Sequence, residues 1–318
     1  SNGRAYDRRS REGPDSPGAL DDVCEDALAA LADRTGRLFS KRYGGFDLAP
    51  WQMVMWEALE DAYDTGDREY LLVNGPPGGG KSTVLVLFCA KQVAKDRAIR
   101  VMFISRAQRL ADRNSRALRR LLERTGAPEG GLSTLAKDFG RFKPRQGGEA
   151  WKATEGVVEQ MDGQSIDHLE PTFCSFGFDS EWIGFRVNIM AGDDLDTTSS
   201  IRNMDVVEGR RTTFDDELEP RIEEAGLLAL AQQRLGAFDF SAHVMAKRVL
   251  PDHLDPDSDD LGEQQYKHLV FRAHDETRCN GPENHRLDSP AWPDGCLLNP
   301  RKLSWRDLRK QFNKPTFK

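Results

Sequence analysis

Tyr70-Leu71-Leu72-Val73-Asn74-Gly75-Pro76-Pro77-Gly78-Gly79-Gly80-Lys81-Ser82-Thr83 decides how the rest of the chain is read. Leu71, Leu72 and Val73 form an apolar run of strand length, and the residues after them fill every position of G-x-x-x-x-G-K-[ST]. Gly75, Gly78, Gly79 and Gly80 allow a tight turn with backbone N–H groups pointing inward. Val84-Leu85-Val86-Leu87-Phe88 then starts a buried helix, whose N-terminal partial positive charge falls at the same spot. Strand, loop and helix in that order predict a phosphate-binding loop, whereas a ligand-free glycine turn has no need of the order. Lys81 is expected to reach the β- and γ-phosphates of ATP, Ser82 to place its hydroxyl on Mg²⁺, and Thr83 to lie near the α-phosphate.

Working outward, 318 residues with 38% hydrophobic content suffice for one large α/β domain or two small ones. No apolar run approaches the roughly 20 residues that cross a bilayer, so no membrane association and a cytosolic location are expected. Cys24, Cys89, Cys174, Cys279 and Cys296 contain no C-x-x-C pair, which fits reduced thiols. A net charge of −7 argues against a protein that coats nucleic acid but leaves room for a local basic track.

Residues 1–20 are nearly devoid of apolar side chains and read as a disordered tail. Residues 21–45 read as a helical lid segment, with an amphipathic helix through Val23–Leu31 that ends near Gly36. Pro50 suits the first turn of a helix carrying Trp51, Met55 and Leu59. Gln52, roughly thirty residues before the loop, could pair with the N6 donor and N7 acceptor of adenine, as glutamine does in nucleic-acid readout; the plainer reading is a surface helix residue.

Val101–Ile104 reads as a strand ending at Ser105. Arg106, Arg109, Arg113, Arg116, Arg120 and Arg124 then recur every three or four residues, on one helix face, with Leu110, Ala117, Leu118 and Leu121 beside them. The stripe is either a solvated face, a phosphate-tracking surface or an edge offering an arginine to a neighbouring subunit. Gly126–Gly148 reads as a surface excursion, and Thr172–Phe176 as a short strand.

Phe185–Gly192 runs apolar into Asp193-Asp194. A carboxylate pair at the end of a buried strand suits an ATPase, with Asp193 holding the water shell of Mg²⁺ and Asp194 acting as base on the attacking water. Gly226–Ala231 is a further strand, after which Gln233 could sense the γ-phosphate in the crevice at the strand ends. Val244–Leu250 and His268–Phe271 supply more strands. Asp255–Asp259 imitates a calcium loop, but Asp260 and Tyr266 occupy the positions of its glycine and closing glutamate. His274, Cys279, His285 and Cys296 match no standard zinc spacing, so no zinc site is expected.

The predicted fold is therefore α/β, a P-loop NTPase of the ASCE, RecA-like type with a mainly parallel sheet flanked by helices. Its ATPase core is placed at 46–250 and C-terminal strands at 251–318. Taken together, Pro50-Trp51-Gln52, the phosphate loop, Ser105 before the Arg-rich helix, Trp182–Arg186 before Asp193-Asp194, Glu219-Pro220-Arg221, and Gln233-Arg234 with Asp239 resemble the ATPase domain of the large terminase subunit of tailed bacteriophages. The resemblance implies an ATP-driven motor for double-stranded DNA, working with a portal protein and a small terminase subunit as a homo-oligomeric, pentameric ring in the host cell cytoplasm. It also implies Gln52 at adenine, Lys81 and Ser82 at phosphate and Mg²⁺, Asp193 and Asp194 as the acidic pair, and Gln233 as the coupling residue. Family members often carry an arginine inside the loop. Residues 74–80 have none, so Arg106 or a stripe residue is expected to supply that charge. The family's nuclease domain is expected to begin beyond Lys318, leaving this chain without cleavage activity. Rival readings are a helicase-type ATPase and an ATP-gated assembly module with little hydrolysis.

Overall fold

The computed structural model describes residues 35–145, 151–160, 170–178, 180, 184, 186–249, 262–279, 281, 285, 295–300 and 302–311. The expected tail, the helix through Val23–Leu31, Cys24, Trp182, Ile183, Phe185, the acidic loop Asp255–Asp259 and residues 312–318 lie outside them.

Seven strands form one sheet in the order β3-β4-β2-β5-β6-β1-β9, where β1 is Glu69–Asn74, β2 Val101–Ser105, β3 Glu155–Gly156, β4 Phe173–Gly177, β5 Val187–Asp193, β6 Ile222–Gln232 and β9 Lys267–Val270. Only β3 runs antiparallel to its neighbour. The short strands β7 (Arg248–Val249) and β8 (Glu263–Gln264) pair separately. Helices cover both faces: α1 (Pro50–Tyr63), α2 (Lys81–Lys95) and α3 (Gln108–Glu123) contribute to one apolar core, while α4 (Met204–Thr213) precedes Phe214 and Leu218 of the other, which also takes in α5 (Phe240–Met245). A last helix, α6, spans Trp305–Gln311.

Strands covered on both sides should read as unbroken apolar runs, and these do. Within each run successive side chains enter opposite cores. Leu71 and Val73 join the α1–α3 side with Val101, Phe103, Ile189, Ala191, Leu227 and Ala229, whereas Leu72, Met102, Ile104, Met190, Leu228 and Leu230 join the other. Gly192 in β5 is where Leu230 crosses: a Cβ there would lie 2.5 Å from its Cδ2.

Several expectations change. Thr35 accepts from Leu38 N and caps a helical turn, Gly36–Phe39, that opens where the preceding helix, outside the described residues, was expected to end. The described part of the expected surface excursion, residues 126–145, is more than that, because Leu135 and Phe142 are buried in the α1–α3 core. Val244 and Met245 are helical. The sheet also crosses the boundary drawn at residue 250, since β9 pairs with β1 from Leu71↔Lys267 to Asn74↔Val270.

A buried ion pair ties residues 126–145 to the segment before α1. Asp138 accepts from Arg42 Nε, Tyr43 OH and Ser133 Oγ, each at 2.8 Å, with Arg42 and Asp138 side chains 5% and 6% exposed. Removing one partner strands the other charge away from water. Asp138→Ala should therefore lower unfolding free energy by about 3–5 kcal/mol in urea titration; a loss under about 1 kcal/mol, the range of an exposed pair, would show that water reaches Arg42.

Candidate functional site

Parallel pairing puts the C-terminal ends of the strands on one edge of the sheet. Asn74 is aligned with Gln232 and Val270, and Ser105 with Asp193, which pairs in turn with Ala231. Polar side chains at strand ends in an open parallel sheet share a crevice, where sequence-distant groups meet. The glycine-rich loop leaves this edge from β1 and enters α2. Gly78 and Gly80 have φ of 72° and 95°, backbone that other residues adopt only with strain.

Lys81 opens α2 and is 5% exposed. Its ammonium donates to the loop's own carbonyls, Gly75 O at 2.9 Å and Pro76 O at 3.1 Å. Burial lowers its pKa, opposed by the negative charge of Asp194 and Asp193. Ser82 is half-buried and Thr83 exposed in the first turn of α2.

Asp193 and Asp194 sit together at the end of β5, as expected, with different surroundings. Asp193 is buried; its Oδ2 accepts from Asn114 Nδ2 at 3.0 Å and from Arg113 Nη2 at 3.4 Å, and its backbone carbonyl accepts from Ser105 Oγ at 2.7 Å. Its Oδ1 is buried without a hydrogen-bond partner. Asp194 alone among the described non-glycine residues has positive φ, 46°, while its N–H donates to Ala231 O at 3.1 Å. A non-glycine residue held in that region is strained, and such strain concentrates at functional sites. Burial raises the pKa of Asp194, as does Asp193, against the lowering influence of Lys81, Arg106 and Arg113.

Two expected residues are placed differently from their assigned roles. Gln52 does not stand free to meet a base: its Oε1 accepts from Ala49 N and its Nε2 donates to Gly79 O, both at 2.9 Å. It caps α1 and holds the loop from outside. Gln233 follows the end of β6 and is half-buried, whereas its neighbour Gln232 is buried at the strand end. Gln232 Oε1 accepts from Leu195 N at 3.0 Å, and its Nε2 has no partner.

The arginine stripe is less uniform than its spacing suggests. Arg106 precedes α3 and donates to Asp196 O at 3.3 Å, while Arg113, on an exposed side chain, reaches back to Asp193 of its own chain. Arg109 and Arg120 are exposed. The buried face of α3 is Ala111, Asn114, Ser115, Leu118 and Leu122, and Asn114 is the functional candidate that sequence did not single out. Asp239 is a structural residue: it caps α5 through Ala242 N and accepts from Arg234 Nε at 3.0 Å. Glu219 likewise takes bonds from Lys247, Gln265 and Tyr266. His274, Cys279, His285 and Cys296, dismissed on their spacing, are brought together.

No family model matches the chain. Over 57 residues, 18% of its length, it is 42% identical to the chloroplastic ATP-dependent Clp protease adapter protein CLPS2 of Chlamydomonas reinhardtii, of which the match spans 34%. These findings overturn the resemblance to the large terminase subunit and the DNA-packaging role read from it: no family model supports it, and the relative found is an adapter of a protease. Among the described residues no helix is long and apolar enough to cross a membrane.

Gln52→Ala tests the placement of that side chain. Loss of its two hydrogen bonds should destabilise the protein by about 1–3 kcal/mol and speed amide exchange through residues 78–81. Stability unchanged within about 0.5 kcal/mol would mark it as a free surface residue.

Proposed function

We propose that the chain is a P-loop nucleoside triphosphatase that binds ATP with Mg²⁺ at Gly75–Thr83 and hydrolyses it. The observation carrying this reading is that the glycine-rich loop with Lys81 and the Asp193–Asp194 pair leave the same edge of the sheet on either side of β6, the one strand inserted between β1 and β5. That insertion supports the ASCE-type arrangement, because it leaves a strand end between phosphate loop and acidic pair, where Gln232 lies.

On this reading Lys81 exchanges the Gly75 and Pro76 carbonyls for phosphate oxygens, joined by loop N–H groups and the N-terminus of α2. The unpartnered Oδ1 of Asp193 and the half-buried Ser82 hydroxyl fit a divalent cation's hydration shell. Mg²⁺ when bound neutralises charge on the β- and γ-phosphates. Asp194 is the base that accepts a proton from the attacking water. The free Nε2 of Gln232 would donate to a γ-phosphate oxygen, a role expected for Gln233. Arg113, close to Asp193 in the same chain, meets the need for a cation besides Lys81 without a neighbouring subunit.

The adapter likeness favours a second reading, in which nucleotide occupancy gates docking on a partner with little turnover. Phosphate release at saturating MgATP separates the two, and adding double-stranded DNA tests whether turnover is coupled to it. Lys81→Ala should abolish nucleotide binding and turnover with the melting temperature retained. Asp194→Asn should retain MgATP binding but lose hydrolysis by about 10²-fold or more, the scale of one general base. A folded Lys81→Ala protein with unchanged ATP binding would refute the site.

A further inference from the structure

We propose that His274, Cys279, His285 and Cys296 form a structural zinc site that clips the C-terminal segment together. The inference is independent of the nucleotide reading. The four potential ligand atoms all lie within 4.8 Å of one another. His285 Nε2 is 3.0 Å from Cys279 Sγ and 3.2 Å from His274 Nε2.

Those separations approach the edges of a zinc tetrahedron. Zinc–nitrogen bonds of about 2.0–2.1 Å and zinc–sulfur bonds of about 2.3 Å require edges of about 3.3 Å between nitrogens, 3.6 Å from nitrogen to sulfur and 3.8 Å between sulfurs. Two thiolates with two imidazoles form a closed, four-ligand structural set, with no vertex left for substrate. A disulfide between Cys279 and Cys296 would leave two histidine rings converging on the same point for no reason.

The surrounding segment needs such a clip. Among the described residues from Ala273 to α6, the apolar core is Cys296, Leu297 and Leu308, with Ala273, Cys279, Leu303 and Trp305 packed against it. Among its described residues the regular structure is short: a 3₁₀ turn, Glu276–Arg278, an isolated bridge, His274↔Leu297, and α6. Units this small with so little core usually depend on a metal or disulfides. The ligands are nevertheless held in place. Leu298 N donates to Ala273 O at 3.0 Å and Asp275 N to Cys296 O at 2.8 Å, setting His274 beside Cys296. The His285 ring stacks on Trp305, 3.9 Å between centroids and 18° between planes.

The spacing, H-x₄-C-x₅-H-x₁₀-C, explains why the pattern escapes a motif search. Paired ligands in familiar zinc modules come from one turn or knuckle, whereas here the β-bridge supplies the fourth.

The full chain, purified without chelator, should contain about one zinc per molecule by elemental analysis. Replacement by Co²⁺ should give the ligand-field bands of a tetrahedral site and a thiolate charge-transfer band. Cys279→Ser and His274→Ala should each reduce zinc toward zero, with Cys89, remote from the cluster, left intact as an internal control. If those variants fail to fold, alkylation of the wild type decides: Cys279 and Cys296 should be protected until a strong chelator is added. Failure of the reduced wild type to take up Zn²⁺ or Co²⁺, metal content unchanged in a folded Cys279→Ser protein, or alkylation indifferent to chelator would each overturn the site.

Discussion

A lysine 5% exposed, its ammonium hydrogen-bonded to neutral carbonyls, is the constraint around which the strand-end crevice is arranged. Burying a cation is costly unless it is hydrogen-bonded and compensated. Gly75 and Pro76 supply the bonds; Asp193 and Asp194 supply compensating charge from β5. Among the described residues no ion pair within 4.0 Å is formed by Lys81, so the lysine is held ready rather than neutralised. On the proposed reading, an incoming phosphate replaces neutral acceptors by anionic ones, and the gain comes from charge-assisted bonds without a new desolvation of the lysine. The same constraint explains Gln52. A loop curled around a buried lysine turns the Gly79 carbonyl outward, and that group needs a donor, which α1 provides.

The acidic pair shows how neighbouring carboxylates become different. Asp193 is clamped by Ser105 of β2 and by Arg113 and Asn114 of α3, so its position depends on β2–β5 pairing. Asp194 lies one residue beyond the strand, in strained backbone, held by its N–H to β6. Their mutual repulsion and burial push the pKa of Asp194 up, while Lys81 and the two arginines draw it down. On the proposed reading, Asp194 is the carboxylate that takes the proton, while Asp193 faces the hydration shell of the metal.

Elements that carry their own local signal were legible in the sequence. The strand-loop-helix of residues 69–95 and the two aspartates at the end of β5 were found because glycines, lysine and apolar runs are contiguous there. Choosing between Gln232 and Gln233 was not possible, since β6 is buried on both faces and its apolar run shows no alternation to say which glutamine ends it. Asn114 escaped because its value lies in reaching Asp193, 79 residues away in sequence. The histidine–cysteine cluster escaped for the same reason: a bridge between His274 and Leu297 brings Cys296 into place, and no spacing rule contains that bridge. The terminase resemblance failed on segments such as Glu219-Pro220-Arg221 and Arg234 with Asp239, whose side chains serve caps and packing contacts that many folds require.

The cluster and the glycine-rich loop also share a strand edge. Phe271 N donates to Asn74 O at 2.8 Å, extending β9–β1 pairing past the end of the strands, and Asn74 is the residue from which the loop departs. Asn74 is further held by its side chain, whose Nδ2 donates to Ser241 Oγ and whose Oδ1 meets His268 Nε2, both at 2.8 Å. Phe271 packs against Trp51, whose ring a Cβ at Gly79 would meet at 3.1 Å. Only two residues separate Phe271 from His274. A β9 of four residues at a sheet edge has few bonds of its own to keep it paired. A metal clip immediately after it would restrict the chain's escape from that edge, so that the same few residues anchor the C-terminal segment and brace the strand from which the loop is launched.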